Sequence, residues 1–445
     1  MSDRTKLNLC VGIVALSLTG CGEESILPKG ADTGKNPAIA KPVEGLIPTV
    51  NIAPARGWPS DKGPSPANGL TATAFARDLN HPRSILILPN GDVLVAESNA
   101  PPKVQSTGLK GLVMQFVMWR AGAGVESPNR VVLLRDTNGD GAADIKTNYI
   151  EGLFSPFGLA LVGTTLYVAN ADSIVAFPYV EGADKITAKP EKIVDLPGGP
   201  LNHHWTKSLI ASADGRTLYV GVGSNSNVGE NGLNMEQDRA AILSVDIAAK
   251  TYQPFATGLR NPVGMAWEPT TKALWTVVNE RDEIGSDLVP DYLTEVKQGA
   301  FYGWPYSYFG SHVDERVSPQ RADLIAKAVT PDYALGAHTA SLGLAFNQAQ
   351  GSWPREFSNG AFIAQHGSWN RNPPSGYKVV FVPFENGKPN GEMRDVLTGF
   401  LSPNGDALGR PVSVAFDKSA ALLVTDDVGN AVWRVTAQPT QTTAR

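Results

Sequence analysis

Apolar residues along this chain fall in short runs rather than in the period of about 3.6 residues that marks a helix. A unit recurs: a polar loop, a short apolar run, a turn of Gly, Asp, Asn or Ser, and a second run rich in β-branched and aromatic residues. The copies are NHPRSILILPNGDVLVAES (80–98), SPFGLALVGTTLYVAN (155–170), HHWTKSLIASADGRTLYVGVGS (203–224), RNPVGMAWEPTTKALWTVVNE (260–280), REFSNGAFIAQHGSW (355–369) and GRPVSVAFDKSAALLVTDD (409–427). Each reads as two strands joined by a tight turn. The turns fall near residues 91, 163, 215, 271, 359 and 419, a spacing somewhat above one four-stranded blade. The pattern predicts an all-β, six-bladed β-propeller, in which blades bury their faces against each other and ring closure protects the sheet edges. Residues 70–78 (LTATAFARD) are placed to join the last blade to the first. The longest gap, between the fourth and fifth turns, predicts a long loop over one mouth, with 288–297 (LVPDYLTEVK) as a short helix.

Composition adds little to the fold and more to the setting. A single domain of 445 residues fits a repetitive β architecture. A formal net charge of −5 without any basic run argues against a nucleic-acid partner. At the N-terminus, Arg4 and Lys6 precede an apolar stretch, Leu7 to Gly20, too short to span a bilayer comfortably. It ends in LTGC (18–21), which resembles a bacterial lipobox. Residues 1–20 are therefore expected to be a lipoprotein signal peptide and Cys21 the lipidated residue. The two cysteines are Cys10 and Cys21, so the mature domain is expected to lack a thiol, a disulfide and a CxxCH haem motif. The expectation is a periplasm-facing lipoprotein on the inner or outer membrane, soluble beyond its anchor. Residues 21–68, rich in Pro, Gly, Ala and Lys, read as a flexible tether, and 69–445 as the propeller domain.

In a propeller the loops that start the inner strands gather at one end of the central channel. Here those loops carry Arg83, His203, His204, Arg260, Asn261, His338 and Arg410. Cations and imidazoles around one axis suit a small polyanionic ligand. A second feature is DTNGDGAAD (136–144), where Asp136, Asn138, Asp140 and Asp144 have the spacing of a calcium loop. Position twelve is Thr147 rather than Glu, and the same residues also make good hairpin turns, so both readings stay open.

The motifs HHWTKSL, GLRNPVGMAW (258–267), VNERDEIGSDLVPDYLT (278–294), GAFYGWPYSYFG (299–310), QHGSWNR (365–371) and GRPVSVAFD (409–417) together resemble the soluble sugar dehydrogenases that use pyrroloquinoline quinone (PQQ), nearer the sorbosone and pyranose dehydrogenase branch. The likeness covers roughly residues 70–437. It implies a six-bladed propeller that holds PQQ and Ca2+ in its mouth, oxidises an aldose or sugar aldehyde at C1, and passes electrons to an external acceptor, a cytochrome or a quinone. Residue by residue, His204 matches the family's base, and Arg260 with Asn261 matches the pair beside the quinone. Arg410 matches a cofactor-carboxylate arginine. His366 or Arg371 stands in for a cofactor-binding lysine that this chain lacks. Arg281 and Asp282 align with the calcium-binding residues. His203 falls where glucose-type relatives carry an acidic sugar-binding residue, which puts glucose in doubt, and Trp304 and His338 are candidates for the sugar pocket. Each of these residues also has a plain reading as a loop, cap or ion-pair residue. Two other functions compete: a calcium-dependent lactonase-type hydrolase, which would need a carboxylate cage, and a non-enzymatic binding propeller.

Overall fold

The computed structural model describes residues 23–43, 49–102, 120–199, 201–347 and 353–438. The lipobox, Cys21 and the proposed signal peptide lie outside the described residues. Four antiparallel strands make each of six blades. Blade 1 runs Pro82–Ile87, Val93–Glu97, Arg130–Arg135 and Ile145–Ile150. Blades 2 and 3 follow from inner strands Leu159–Val162 and Lys207–Ala211. Blades 4, 5 and 6 start at Pro262–Trp267, Ser341–Phe346 and Pro411–Phe416. The outer strand of blade 6 is Leu70–Ala76, paired antiparallel to Ala431–Ala437. The ring thus closes with the strand that the sequence pattern assigned to it, and the six-bladed propeller is as expected.

The second strands are buried on both faces. Every residue of Val93–Glu97, Leu274–Val278 and Leu422–Asp426 is buried, because each blade is sandwiched between two others. The inner strands neighbour one another around the ring. They approach so closely that side chains do not fit at some points. A Cβ on Gly264 would lie 2.7 Å from the Leu344 amide nitrogen, and one on Gly343 would lie 2.7 Å from the Val412 carbonyl oxygen. In blades 1, 4, 5 and 6 the register of the inner strand slips near its mouth end, between Pro82 and Ile85, Pro262 and Met265, Ser341 and Gly343, and Pro411 and Val414. Such bulges bend the strand and re-aim side chains at the rim.

Two expectations are corrected. Residues 288–297 form no helix: Pro290–Glu295 is the third strand of blade 4, between Leu274–Val278 and Tyr333–Ala337. Leu288, Val289, Tyr292, Leu293 and Val296 imitate a helical period, but all are buried, and a strand covered on both faces has no need to alternate. The segment read as a flexible tether is laid along the propeller wherever it is described. Thr33–Gly34 adds an edge strand to blade 4, and Ser65–Pro66 adds one to blade 5. Asp287 accepts hydrogen bonds from the Ile26 and Leu27 amides at 2.8 and 3.1 Å, and Asp32 accepts from the Ala337 amide at 2.8 Å. Among the described residues, no helix is long and apolar enough to cross a membrane.

Candidate active site

The antiparallel hairpin of each blade decides which residues meet at the mouth. The loop before an inner strand lies beside the residues that follow the second strand. His204 therefore sits against Ser224, and Arg410 against Asp426 and Asp427. Below them a small apolar floor closes the channel: Phe157, Val263 and Val412, with Trp205 and Leu342 packed against it. Around that floor the polar residues fall into two groups.

The first group centres on His204 and Arg260. The His204 Nδ1 is 2.8 Å from the Ser224 carbonyl oxygen. A carbonyl can only accept, so Nδ1 carries the proton and Nε2 is the basic nitrogen. Burial, with Arg260 and His203 beside it, holds the imidazole well below its usual pKa, so it is neutral at pH 7. His203 is exposed where His204 is half-buried, and the two rings meet edge to face at 5.0 Å. Each nitrogen of the buried Arg260 guanidinium is engaged: Nε by the Asn227 carbonyl, Nη1 by the Asn279 and Glu280 carbonyls, and Nη2 by the Asn227 side chain and Asp282. Arg260 thus acts on its surroundings through its charge. Its neighbour Asn261 is buried with a side-chain oxygen that has no partner. Trp304 donates its indole N–H to the Asn227 carbonyl at 2.9 Å and is buried in this same group.

Asp282 binds this group together. Its carboxylate accepts from Arg260 at 3.0 Å and Asn370 at 2.8 Å, and faces the His338 Nδ1 at 3.4 Å. Burial alone would raise its pKa, but Arg260 and His338 outweigh it and hold the carboxyl far below the usual range. Burial pulls His338 down, yet the hydrogen bond and charge of Asp282 leave it raised overall. His338 therefore stands behind Asp282, with Nε2 at 2.9 Å from the Gly285 carbonyl.

The second group lies across the floor. Arg83 donates to Asp427, and the His366 Nε2 lies 2.9 Å from the same carboxylate oxygen. Burial, with Arg410 and Arg83 nearby, lowers the His366 pKa to about 4 despite Asp427. Arg410 lies over the Tyr377 ring at 5.0 Å and donates to the Ala53 carbonyl at 3.3 Å, so the N-terminal segment forms part of this wall. Arg83, Arg410 and Asp427 are all buried, yet Nε of each arginine and Oδ1 of Asp427 have no partner. Other buried orphans are scattered through the molecule, but these three belong to charged side chains that meet at the mouth, where a polar ligand would satisfy them.

Other expected site residues are placed elsewhere. Arg371 donates to the Ser286 carbonyl and to Ser25, and pairs with Asp287, so it pins the N-terminal segment rather than facing the mouth. Arg281 is fully buried between Glu280, Asp314 and the carbonyls of Pro305 and Ser307. The Asp282 carbonyl, aligned with a calcium ligand, already accepts from Asn227 and Arg316 at 3.0 Å each. Donors aimed at both the carboxylate and the carbonyl do not fit a calcium ion there. In the 136–144 loop the carboxylates are turned onto their own backbone: Asp136 accepts from the Gly139 and Gly141 amides, and Asp144 from Thr137. Among the described residues, no group of three His, Cys, Asp or Glu side chains is arranged to hold a metal.

Comparison with known proteins places this geometry. A PQQ-dependent sugar dehydrogenase of Hypocrea jecorina is 24% identical over 416 residues, 82% of this chain and 87% of that one. The solved structure of a Trichoderma reesei carbohydrate-active enzyme of family AA12 superposes with a TM-score of 0.68 at 22% identity, covering 89% of this chain and all of that one. The holo PQQ domain of a pyranose dehydrogenase from Coprinopsis cinerea gives a TM-score of 0.68 at 20% identity, over 87% of this chain and all of that one. At such identities the structural likeness establishes the propeller fold. The family assignment rests on a sequence model that matches residues 126–308 and 310–438, most of the propeller: the chain belongs to the TrAA12-like family.

Proposed function

We propose that this chain is a dehydrogenase that oxidises a sugar at C1 with PQQ held at the channel mouth. The observation that carries the reading is the imidazole of His204, fixed by the Ser224 carbonyl so that an unprotonated Nε2 stands beside the positive charge of Arg260. A neutral histidine in a fixed tautomer suits a base that takes a hydroxyl proton. PQQ, when bound, would supply the acceptor for the electron pair leaving the sugar carbon. Its carboxylates fit the orphaned Nε of Arg410, with His366 nearby, and a hydroxyl donor of the substrate or the reduced cofactor fits the acceptor oxygen of Asn261. Arg260 would stabilise negative charge that develops as the hydroxyl proton passes to His204. The named activities of the relatives from Hypocrea and Coprinopsis support the same reaction class. The arrangement favours it over the lactonase reading, because the mouth carries arginines and imidazoles rather than a carboxylate cage.

The electron acceptor in this proposal is external, a cytochrome or a quinone. Anchoring through Cys21 and a periplasm-facing location belong to the same proposal and are tested by metabolic labelling with a radioactive fatty acid, which Cys21→Ser would abolish. The function itself is tested by adding PQQ to the purified protein, with and without Ca2+, and following dye reduction across an aldose panel. Stoichiometric uptake with sugar-dependent reduction is expected. No PQQ uptake under either condition would overturn the reading, and a strict Ca2+ requirement would overturn the misfit argued for Asp282.

A further inference from the structure

The two orphaned arginines of the mouth have different neighbours. Near Arg410, the carboxylate of Asp426 is already occupied: it accepts from the Arg410 and Gly429 amides and from the indoles of Trp58 and Trp433. Asp426 therefore offers no free oxygen, and an acceptor-only group such as a carboxylate suits the free Nε–H of Arg410. Near Arg83, the situation is mixed. Its Nε–H is a free donor, and Oδ1 of its ion-pair partner Asp427 is a free acceptor. A ligand carboxylate at that point would meet one and be repelled by the other. A hydroxyl both donates and accepts, so it suits either atom of this pair, which a carboxylate does not.

The surroundings point the same way. The Arg83 guanidinium lies 5.9 Å from the ring centres of both Phe157 and Trp205, which are part of the apolar floor. A charged donor–acceptor pair set over an aromatic floor is a surface for a pyranose, whose C–H face is apolar and whose rim carries hydroxyls. Trp205 also follows His204 directly in sequence. Resting on the function proposed above, we propose that Arg83 and Asp427 read a hydroxyl of the sugar, over the floor of Phe157 and Trp205, and so set which sugars are accepted. Arg410 is left to the anionic end of the cofactor. Neither Arg83 nor Asp427 takes part in the proton transfer.

The test separates sugar from cofactor. The probes are 1,5-anhydropyranoses, which lack the C1 hydroxyl and do not turn over, together with analogues each missing one further hydroxyl. Their binding to the full chain is measured by calorimetry. Arg83→Lys, which retains the charge facing Asp427 but lacks Nε, is expected to weaken the parent sugar about tenfold or more. One deoxy analogue is expected to bind the wild type about tenfold worse than its parent, and to bind Arg83→Lys as well as its parent does. Asp427→Asn is expected to do the same, and Arg83→Lys carries the test alone if Asp427→Asn does not fold. PQQ uptake, followed by quenching of tryptophan fluorescence, should stay within about threefold in either variant. Equal losses on parent and deoxy sugars would mean that the pair orders a water or the fold only, and would overturn the proposal. So would a large loss of PQQ affinity with sugar binding unchanged. If the wild type takes up no PQQ, the proposed function fails, yet the deoxy-sugar comparison still decides the role of Arg83 and Asp427.

Discussion

The two sides of the channel mouth are built differently. Around Arg260 and Asp282 each donor meets an acceptor, and the charges interlock through Asn227, Asn370, His338 and Arg316. Around Arg83, Arg410 and Asp427, buried polar atoms are left over. On the first side the charged groups are satisfied by the protein itself, even though the Asn261 oxygen is left over, whereas on the other side the charged groups are completed by something else. Preorganised charge suits a step in which charge develops, because no reorganisation is needed at that moment. Unsatisfied groups suit binding, because a ligand that fills them removes a desolvation penalty already present.

The sharpest way to break this comparison is at His204, which belongs to the organised side. His204→Ala is expected to lower kcat by about 10²- to 10⁴-fold with little change in PQQ affinity, measured by steady-state dye reduction and by titration. Retention of wild-type turnover would move the base elsewhere. The arginines give the next contrast. Arg260→Met removes the guanidinium from the half-buried Asp282 carboxylate and leaves the Asn227, Asn279 and Glu280 acceptors unpaired, so it should destabilise the fold by about 2–3 kcal/mol in urea unfolding. Arg410→Met breaks a single hydrogen bond to Ala53 and no salt bridge to any described residue, so its stability should change by about 1 kcal/mol or less while PQQ affinity falls. If both arginines affect stability alike, the two sides are not different in kind.

This contrast also explains what the sequence could and could not reveal. The strands were legible because each hairpin carries its own turn, and the closing strand 70–78 was legible because an unpaired β pattern preceded the first unit. The site was legible on one side of each hairpin. His204, Arg260 and Arg410 precede inner strands, in the polar loops that open the repeated unit. Ser224 and Asp427 follow second strands, and pairing such as Lys207 with Val222 and Pro411 with Asp426 folds them back to the same rim. Counting register outward from the turn, on both strands, would have picked them out. The N-terminal segment was misread because its attachment runs through main-chain groups and a few side chains, such as Ala53, Asp32 and Trp58, which leave no periodic trace.

The pH response tests the open side again. His366 is neutral in the folded state with a pKa of about 4, against about 6.5 when unfolded. Between these values the unfolded chain binds the proton and the folded chain does not, so stability falls as pH drops through that window. The sign is fixed by the lowered folded pKa, and the full contribution is present above about pH 6.5. The shift corresponds to roughly 3 kcal/mol across the window. His81 and His204 are also lowered and add to the wild-type decline, so the informative quantity is the difference between wild type and His366→Gln. That difference should shrink as pH falls from 6.5 to 4. A constant difference would mean that His366 protonates as easily in the fold as outside it, and the buried charge balance around Asp427 would then be wrong.

The smallest expected effect lies where the N-terminal segment meets the open side. The Trp58 indole donates to Asp426 Oδ2 at 2.7 Å, and its ring packs edge-on against Phe400 and Trp433. Trp433 donates to the same oxygen at 3.0 Å, and Oδ1 of Asp426 holds the Arg410 amide at 2.7 Å. Trp58→Phe keeps most of the packing and removes one donor of two from that oxygen. The cost should be about 0.5–1.5 kcal/mol, visible as a small fall in Tm. Because the Arg410 amide remains bonded to the other oxygen, PQQ affinity should hardly move. A larger loss of affinity than of stability would show that the segment sets the aim of Arg410, and the boundary between the self-organised side and the ligand-completed side would have to be redrawn to include residues 49–58.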